Sequence, residues 1–251
     1  NIINTAHAMG IESPLDNTPA LSLGAADVSL LELVNAYCTV ANNGKHHVPV
    51  LVTKIVDRDG NVIYQAPTED HQVIPYRTAF LMQQMLKSGM DPGGTSTPLY
   101  SYISQYMRDT DFGGKTGTTN NHSDAWYVGV TPNLVAGGWV GGEYRCIHFR
   151  TGALGSGSKL ALPIFGYFMQ KLLADPQFKR YHAKFGKAEE DIPPSCYQCA
   201  ARIVQKKAVP DSLRSDSANV PEDEDLNYED VMDGSGNPAD GTSESNSSTS
   251  P

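Results

Sequence analysis

The sequence contains no run of about 18 consecutive apolar residues, which is the length that a helix needs to cross a bilayer. No membrane span is therefore predicted within it. Its first residues, Asn-Ile-Ile-Asn-Thr-Ala, include neither an initiator Met nor the charged region and cleavage site of a secretory signal. They read as the middle of a helix, and we expect the chain to be a fragment of a longer protein.

Cysteine is also scarce, with four residues among 251. Cys196 and Cys199 have the spacing of a metal-binding or redox pair, but no second cysteine or histidine pair follows at zinc-finger distance. A zinc site is the least favoured interpretation there, and a local disulfide and free thiols both stay open. The dipeptide His46-His47 has no acidic or cysteine cluster beside it in the sequence, and Cys38 reads as a small core residue. Neither a metal ion nor a cofactor is therefore predicted.

Basic residues are nearly absent from the last part of the chain. Residues 208–251 hold eleven acidic side chains against one base, Arg214, whereas the rest of the chain is close to neutral. This part is also rich in Ser, Asn, Pro and Gly and poor in aromatics, a composition typical of disorder. We predict a folded part over residues 1–188 and an acidic, Ser-rich disordered tail over 189–251. Because the acidity belongs to the tail, it implies nothing about the partners of the folded part. No nucleic-acid partner is predicted.

Three helices are predicted from local signals. Ser29 and Glu32 have the spacing of a capping box, in which each side chain satisfies the exposed N–H of the other. They open an amphipathic helix that Asn43-Gly44 should end. Further helices are predicted at 76–87 and at 162–174, the latter with proline at its second position.

The strands are predicted from alternation and turn residues. Asp59-Gly60 lies between two alternating segments, 50–56 and 62–64, and predicts a hairpin. Three further strands with short connections are typical of an antiparallel meander, and they are predicted at 112–118, 125–131 and 134–141. Paired glycines at 137–138 and 141–142 indicate close packing on this sheet, for which the helix at 162–174 is the natural partner. The fold class is therefore α+β, an antiparallel sheet flanked by helices.

The most informative segment is 113–119, which reads Gly-Gly-Lys-Thr-Gly-Thr-Thr. Lys115 offers a cation, Thr116 and Thr118 offer hydroxyl donors, and the glycines leave backbone N–H groups unshielded. Such a wall suits a carboxylate or an oxyanion that develops during acyl transfer. The alternative interpretation is a solvated edge lysine among ordinary strand-forming threonines.

The surroundings of the Lys-Thr-Gly triplet decide between these interpretations. The triplet belongs to the motifs of penicillin-recognising serine enzymes. Its context extends the match with Lys-Thr-Gly-Thr-Thr-Asn at 115–120, Asp-Ala-Trp-Tyr-Val-Gly at 124–129 and Gly-Trp-Val-Gly at 138–141, and further similar segments lie at 17–24, 33–37, 41–44 and 161–165. Over about residues 1–180, the sequence resembles the transpeptidase domain of class A (bifunctional) penicillin-binding proteins.

The resemblance implies both a fold and a reaction. The fold would be the penicillin-binding protein transpeptidase or serine β-lactamase type, present only in part, with three of the family's five sheet strands. The third strand, 134–141, would then have an unpaired edge. The reaction would be peptidoglycan D,D-transpeptidation, in which the serine of a Ser-x-x-Lys turn attacks the penultimate D-Ala carbonyl of a stem peptide. β-Lactams would be the other ligands of the same site.

The resemblance also implies roles for individual residues. Lys115 would supply positive potential and relay a proton, and Thr116 and Thr118 would hydrogen-bond the terminal carboxylate of the substrate. The backbone N–H of Thr118 would be one of two oxyanion donors. Gly117 would keep the strand clear for the backbone of the substrate. The predicted catalytic residues are therefore Lys115 and Thr118, and the predicted substrate-binding residues are Thr116, Gly117 and Thr118.

The nucleophile of that family is not found at a matching place in this sequence. Ser156-Gly-Ser-Lys159 has the spelling of Ser-x-x-Lys but follows the sheet, in what reads as a glycine-rich loop, and Ser217-Ala-Asn219 lies in the predicted tail. We expect the fragment alone to be inactive. The family likeness further implies an upstream glycosyltransferase domain, an upstream membrane anchor, and a location at the periplasmic or outer face of the cytoplasmic membrane.

Other functions are conceivable for the same segments. A P-loop would need glycine where Asp109 stands and a helix after the motif, and neither condition is met. His122 and Asp124 are expected to cap and solvate a turn rather than to form a catalytic couple. A D,D-carboxypeptidase or β-lactamase-type hydrolase and a non-catalytic peptide-binding module stay open as alternatives.

Overall fold

The computed structural model describes residues 1–187 and 192–193. Apart from Ile192 and Pro193, the predicted tail lies outside the described residues, and so do Cys196, Cys199 and the Ser217-Ala-Asn219 segment. The helices are α1 (Ile2–Ala8), α2 (Leu30–Ala41), α3 (Tyr76–Ser88), α4 (Tyr100–Ile103), α5 (Gly152–Gly155) and α6 (Gly157–Ala174). The strands are β1 (Lys45–His46), β2 (Lys54–Val56), β3 (Val62–Gln65), β4 (His71–Gln72), β5 (Gly113–Thr118), β6 (Asp124–Thr131) and β7 (Leu134–Gly141). Short 3₁₀ segments cover Pro19–Leu23, Thr97–Leu99, Ser104–Tyr106 and Pro176–Tyr181.

The central sheet has the order β5-β6-β7 and is antiparallel throughout. This confirms the predicted meander, with strand ends that differ by one residue at most. Lys115 pairs with Val128 and Thr116 with Tyr127, while Tyr127 also pairs with Gly138 of β7. Within the described residues, β5 and β7 each hydrogen-bond to β6 alone, so both have an open edge.

One face of the sheet packs on α6. The Phe165 ring lies 5.4 Å from the Tyr127 ring, and both side chains are buried. A Cβ at Gly129 would overlap the Phe165 ring, so only glycine lets the helix come this close. The same cluster contains Leu99, Ile103, Phe112, Leu162, Met169 and Leu173. Burying a side chain of this kind stabilises the fold by roughly 1.5–3 kcal/mol, which makes this face the main source of cohesion.

The opposite face packs on α2 and α3. Val130 contacts Val40 of α2 and Leu86 of α3 in a second buried cluster. A Cβ at Gly137 would lie 2.5 Å from the Cγ2 atom of Val34, and one at Gly138 would lie 3.4 Å from the carbonyl oxygen of Ala161. Gly137 therefore lets α2 come close, whereas a Cβ at Gly138 would make only ordinary contact with α6. The sequence predicted the later helix, and not α2, as the close neighbour of this glycine pair.

The capping box of α2 is confirmed. The Glu32 backbone N–H donates to the Ser29 hydroxyl, and the Glu32 carboxylate accepts from the Ser29 N–H at 2.8 Å. The same carboxylate accepts from the Ser13 N–H at 2.6 Å. Hydrogen bonds from the Ser29 hydroxyl and N–H, joined by those of Ser13, hold the pKa of Glu32 down to about 2. Glu32 therefore stabilises both the loop before α2 and the N-terminus of this helix.

The predicted start of the last helix is wrong. It begins at Gly157 rather than Leu162, and Pro163 lies inside it. Pro163 predicted a helix start, because proline lacks an N–H and the first N–H groups of a helix have no partner within the helix. The helix in fact begins five residues earlier than predicted. Ser156-Gly-Ser-Lys159 is consequently the start of a helix and not a loop.

The predicted β2–β3 hairpin is confirmed, although β2 begins at Lys54 instead of residue 50. Asp57 accepts hydrogen bonds from the N–H groups of Asp59 and Asn61, and Gly60 has φ of +89°. The hairpin exposes apolar side chains, and Leu51 beside it is 99% exposed. It therefore adds little to the core.

Asp111 ties the start of β5 to the segment 182–187. Its carboxylate accepts from the Phe185 N–H at 3.1 Å and lies 3.2 Å from the ammonium groups of both Lys87 and Lys184. Its own N–H donates to the Ala183 carbonyl at 2.9 Å. Burial alone would raise the pKa of Asp111, but these donors hold it below its usual value.

None of the helices in the described part of the chain combines the length and the apolar composition that crossing a bilayer requires.

Candidate functional site

The candidate site is the open edge of β5. The Thr119 N–H donates to the Asp124 carbonyl, which makes residues 119 and 124 a hydrogen-bonded pair. Hydrogen-bonded and non-hydrogen-bonded pairs alternate along an antiparallel ladder. The backbone N–H and C=O groups of Thr116 and Thr118 therefore point away from β6, toward the open edge. The N–H that the sequence predicted as an oxyanion donor is on the accessible side of the strand.

The side chains of the motif divide between the two faces of β5. Alternation places Thr116 and Thr118 on the face of α6, and Lys115 and Gly117 on the face of α2 and α3. The Lys115 ammonium returns to the edge, because it donates to the Thr116 carbonyl at 2.7 Å. The structure thus places all the predicted residues along one edge of the sheet. Their side chains, however, start on opposite faces of β5.

Each threonine hydroxyl is held by a different neighbour. The Thr116 hydroxyl donates to the Thr95 hydroxyl at 3.0 Å. Thr95 lies in the Gly/Ser/Thr loop that follows α3. The Thr118 hydroxyl accepts from the N–H of Gly157, the first residue of α6, also at 3.0 Å. Sequence reasoning missed both partners, because neither contact leaves a local signal.

The start of β5 is packed too tightly for side chains. A Cβ at Gly114 would lie 2.7 Å from the Cζ atom of Tyr127, and one at Gly113 would lie 2.8 Å from the carbonyl carbon of Leu86. The Tyr127 hydroxyl donates to the Ser96 hydroxyl at 3.3 Å, and burial raises its pKa to about 12. Tyr127 is therefore a neutral core residue, and its hydrogen bond to Ser96 holds the loop 91–97 beside the candidate site.

The β5–β6 turn is organised by Thr119. Its hydroxyl accepts from the N–H groups of Ser123 and Asp124 at 3.0 and 2.9 Å. The Asp124 carboxylate in turn accepts from the Trp139 indole N–H at 3.0 Å. His122 has φ of +57°, and its buried Nδ1 atom has no hydrogen-bond partner among the described residues. The Asp124 carboxylate is thus engaged by Trp139, which fits the expectation that His122 and Asp124 do not form a catalytic couple.

The Ser156 segment is a helix cap and not an exposed loop. Ser156 is 3% exposed, and its hydroxyl lies 3.0 Å from that of Ser158, while Lys159 is exposed to solvent. The reason first given against this serine, a loop position, is therefore wrong. Its burial and its place after the sheet in the sequence are the observations that now count against it as a nucleophile.

The remaining candidate ligands of metals have other partners. His46 Nε2 lies 2.9 Å from the Asn35 amide, and His47 lies 3.1 Å from the Asp70 carboxylate. Among the described residues, no group of three or more His, Cys, Asp or Glu side chains is arranged to hold a metal ion. Cys38 is half-buried, and burial raises the pKa of its thiol.

A family model described as "Penicillin binding protein transpeptidase domain" matches residues 10–139. Penicillin-binding protein 2D of Bacillus subtilis is 35% identical over 143 residues, which are 56% of this chain and 20% of that protein. Penicillin-binding protein 1A of Aquifex aeolicus is 33% identical over 165 residues, which are 64% of this chain and 21% of the relative. The chain therefore spans about a fifth of the length of these relatives.

Solved structures agree with the sequence comparison. Penicillin-binding protein 1A from Haemophilus influenzae superposes with a TM-score of 0.60 at 27% identity, over 73% of this chain and 31% of that one. The PonA1 protein from Mycobacterium tuberculosis, in complex with penicillin V, gives a TM-score of 0.55 at 26% identity, over 68% of this chain and 49% of that one. Most of this chain thus shares its fold with parts of these two proteins.

Proposed function

Because the chain belongs to the penicillin-binding protein transpeptidase family, we propose that β5 forms one side of the acyl-transfer cleft of a class A peptidoglycan D,D-transpeptidase. Its ligands would be stem peptides that end in a D-alanine carboxylate, and β-lactams. The observation that supports this is the open edge of β5, toward which the Thr118 N–H points and to which the Lys115 ammonium returns, while both threonine side chains lie on the adjoining face.

The chemistry begins with an attack by a serine on the penultimate D-Ala carbonyl. As the carbonyl oxygen gains negative charge, the Thr118 N–H stabilises it, and removing one such donor typically lowers the rate about 100- to 1,000-fold. Lys115 adds positive potential near this oxygen and takes part in proton relay. The C–N bond then breaks, terminal D-Ala leaves as an amine, and an amine of a neighbouring strand displaces the serine from the acyl-enzyme.

Binding of the substrate precedes this step. The terminal carboxylate lies against the Thr116 and Thr118 hydroxyls, where charge-assisted hydrogen bonds replace water. Gly117 has no side chain that would obstruct a ligand, so an extended substrate backbone can align with β5 as an added strand.

The attacking serine and its lysine belong, in this proposal, to sequence outside these 251 residues. So do the glycosyltransferase domain, the membrane anchor and the location at the outer face of the cytoplasmic membrane, which the family likeness carries with it. The 251-residue chain alone is then inactive, because Ser156 is buried at the start of α6.

The test compares the intact protein with the 251-residue chain in labelling with a fluorescent penicillin. The intact protein should form a covalent adduct, and Lys115→Ala should lower its formation rate about 100-fold or more. The 251-residue chain should form none. Labelling of the short chain at Ser156, or full labelling of the Lys115→Ala variant, would overturn the proposal.

The choice of acceptor needs its own measurement. When a stem-peptide donor and an acceptor amine are supplied together, a transpeptidase yields the cross-linked product. Exclusive release of the hydrolysed donor would instead favour the carboxypeptidase or β-lactamase alternative.

A further inference from the structure

The first turn of α6 touches the catalytic strand at one hydroxyl. The Gly157 N–H donates to the Thr118 Oγ1 atom at 3.0 Å. Among the described residues, this is the only hydrogen bond at that oxygen. Thr118 is exposed at the end of β5, which leaves room for a further partner at its hydroxyl.

That contact limits the directions in which the hydroxyl proton can point. A threonine hydroxyl has one donor and two acceptor positions. The incoming Gly157 N–H occupies one acceptor position and repels the hydroxyl proton from that side. The proton is therefore kept away from the Gly157 N–H and stays available to a carboxylate at the edge of β5.

The Thr116 hydroxyl has a different hydrogen-bonding arrangement. Its hydroxyl proton is already donated to the Thr95 hydroxyl. To donate to a carboxylate, it must first exchange that bond. The two threonines of the motif are thus not equivalent, and only Thr118 has its donor ready for the ligand.

Glycine is required at position 157 for this contact. A Cβ there would lie 2.6 Å from the Gly117 carbonyl oxygen and closer still to the Trp126 carbonyl oxygen. Both are backbone atoms of the paired strands β5 and β6, so they cannot swing aside as a flexible side chain would. Any larger residue must push the start of α6 away from Thr118, and the hydrogen bond is lost.

On the premise of the proposed function, we infer that Gly157 is a positioning residue. Its N–H presets the Thr118 hydroxyl as the donor to the ligand carboxylate. Gly157 itself touches no ligand, and the effect passes through Thr118. This role lies in a helix more than thirty residues after the Lys-Thr-Gly motif.

The experiment measures acylation rates of the intact protein with two ligands, penicillin G and its methyl ester, which lacks the charged carboxylate. Gly157→Ala should lower the rate with penicillin G about 10-fold and the rate with the ester by about twofold or less, because hydrogen bonds to charged groups are the stronger ones. In a Thr118→Val background, Gly157→Ala should have almost no further effect. Gly138→Ala is the matched control, since its Cβ meets only ordinary contacts at the same helix–sheet interface.

A second pair of variants does not depend on whether Gly157→Ala folds. Thr118→Val should reduce the preference for the free acid more than Thr116→Val does, and Thr118→Ser should restore it. Equal losses with acid and ester, additive effects in the double variant, or a larger effect of Thr116→Val would overturn the role of Gly157 alone. If the unmodified protein forms no adduct, or if Lys115→Ala forms it at full rate, the proposed function fails as well.

Discussion

The two outer strands of the sheet present edges of opposite character. β5 carries an ammonium and two hydroxyls, whereas β7, from Leu134 to Gly141, has no charged side chain. A lysine on an edge strand opposes pairing with further strands, and an uncharged apolar edge invites it. The β5 edge therefore suits a short ligand, while the β7 edge has no such protection within the described residues.

The largest effect is expected from a variant that weakens the packing of α6 on the sheet, since this packing supports both outer strands. Phe165→Ala takes the buried ring of α6 away from Tyr127, and we expect it to lower the free energy of unfolding by about 3–5 kcal/mol. Phe168→Ala is the control on the same helix, because Phe168 is 44% exposed. Urea unfolding followed by circular dichroism measures both. Similar midpoints for the two variants would show that α6 does not support the sheet as described.

The second prediction compares how the β5 edge and the β7 edge contribute to self-association. Lys115→Val should increase self-association of the 251-residue chain, because it removes the charge from the β5 edge, and Trp139→Lys should decrease it by placing a charge on β7. Static light scattering over a concentration series measures the change. Lys159→Val, an equal loss of charge on the exposed start of α6, serves as the control.

Because the edge of β7 is open within the described residues, we expect the isolated chain to be aggregation-prone or poorly cooperative in unfolding. A sharp two-state melt of the unmodified chain as a monomer would contradict this expectation. It would mean that the open edge of β7 carries no penalty.

The smallest effect concerns the helix behind β7. Glu32→Gln removes a carboxylate oxygen from the capping box of α2, and we expect about 1 kcal/mol lower stability at neutral pH. The folded-state pKa of Glu32 is held at about 2, below its ordinary 4.5, so its contribution is present above pH 4.5 and is lost as the pH falls toward 2. Thermal midpoints measured from pH 7 to pH 2 should therefore converge for wild type and variant. A constant difference across this range would argue against the carboxylate as the cause.

Local rules predicted much of the fold. Ser29 with Glu32 identified the start of α2, and Asp59-Gly60 identified the β2–β3 hairpin. The meander at β5–β7 followed from strand-forming segments joined by short connections, although both faces of the central strand β6 are covered. The strands β1 and β4 were missed, since two residues each leave no periodic signal.

The candidate site was predicted in part. The identity of Lys115, Thr116 and Thr118 followed from the motif, and their place on an open edge followed from the meander. What holds the hydroxyls did not, because Thr95 and Gly157 reach them only through the packing of other elements. The mistaken start of α6 at Leu162 hid the second of these contacts, since it left Gly157 in a supposed loop.

Asp111 has a mechanical consequence for the whole strand. It directly precedes Phe112 and β5, and it holds Phe185 and Lys184 through the same carboxylate. Tension applied to the chain beyond residue 187, by a fusion partner or a surface attachment, would reach the root of β5 before the rest of the sheet. The carboxylate and the backbone N–H of Asp111 thus couple the chain at residue 187 to the start of β5.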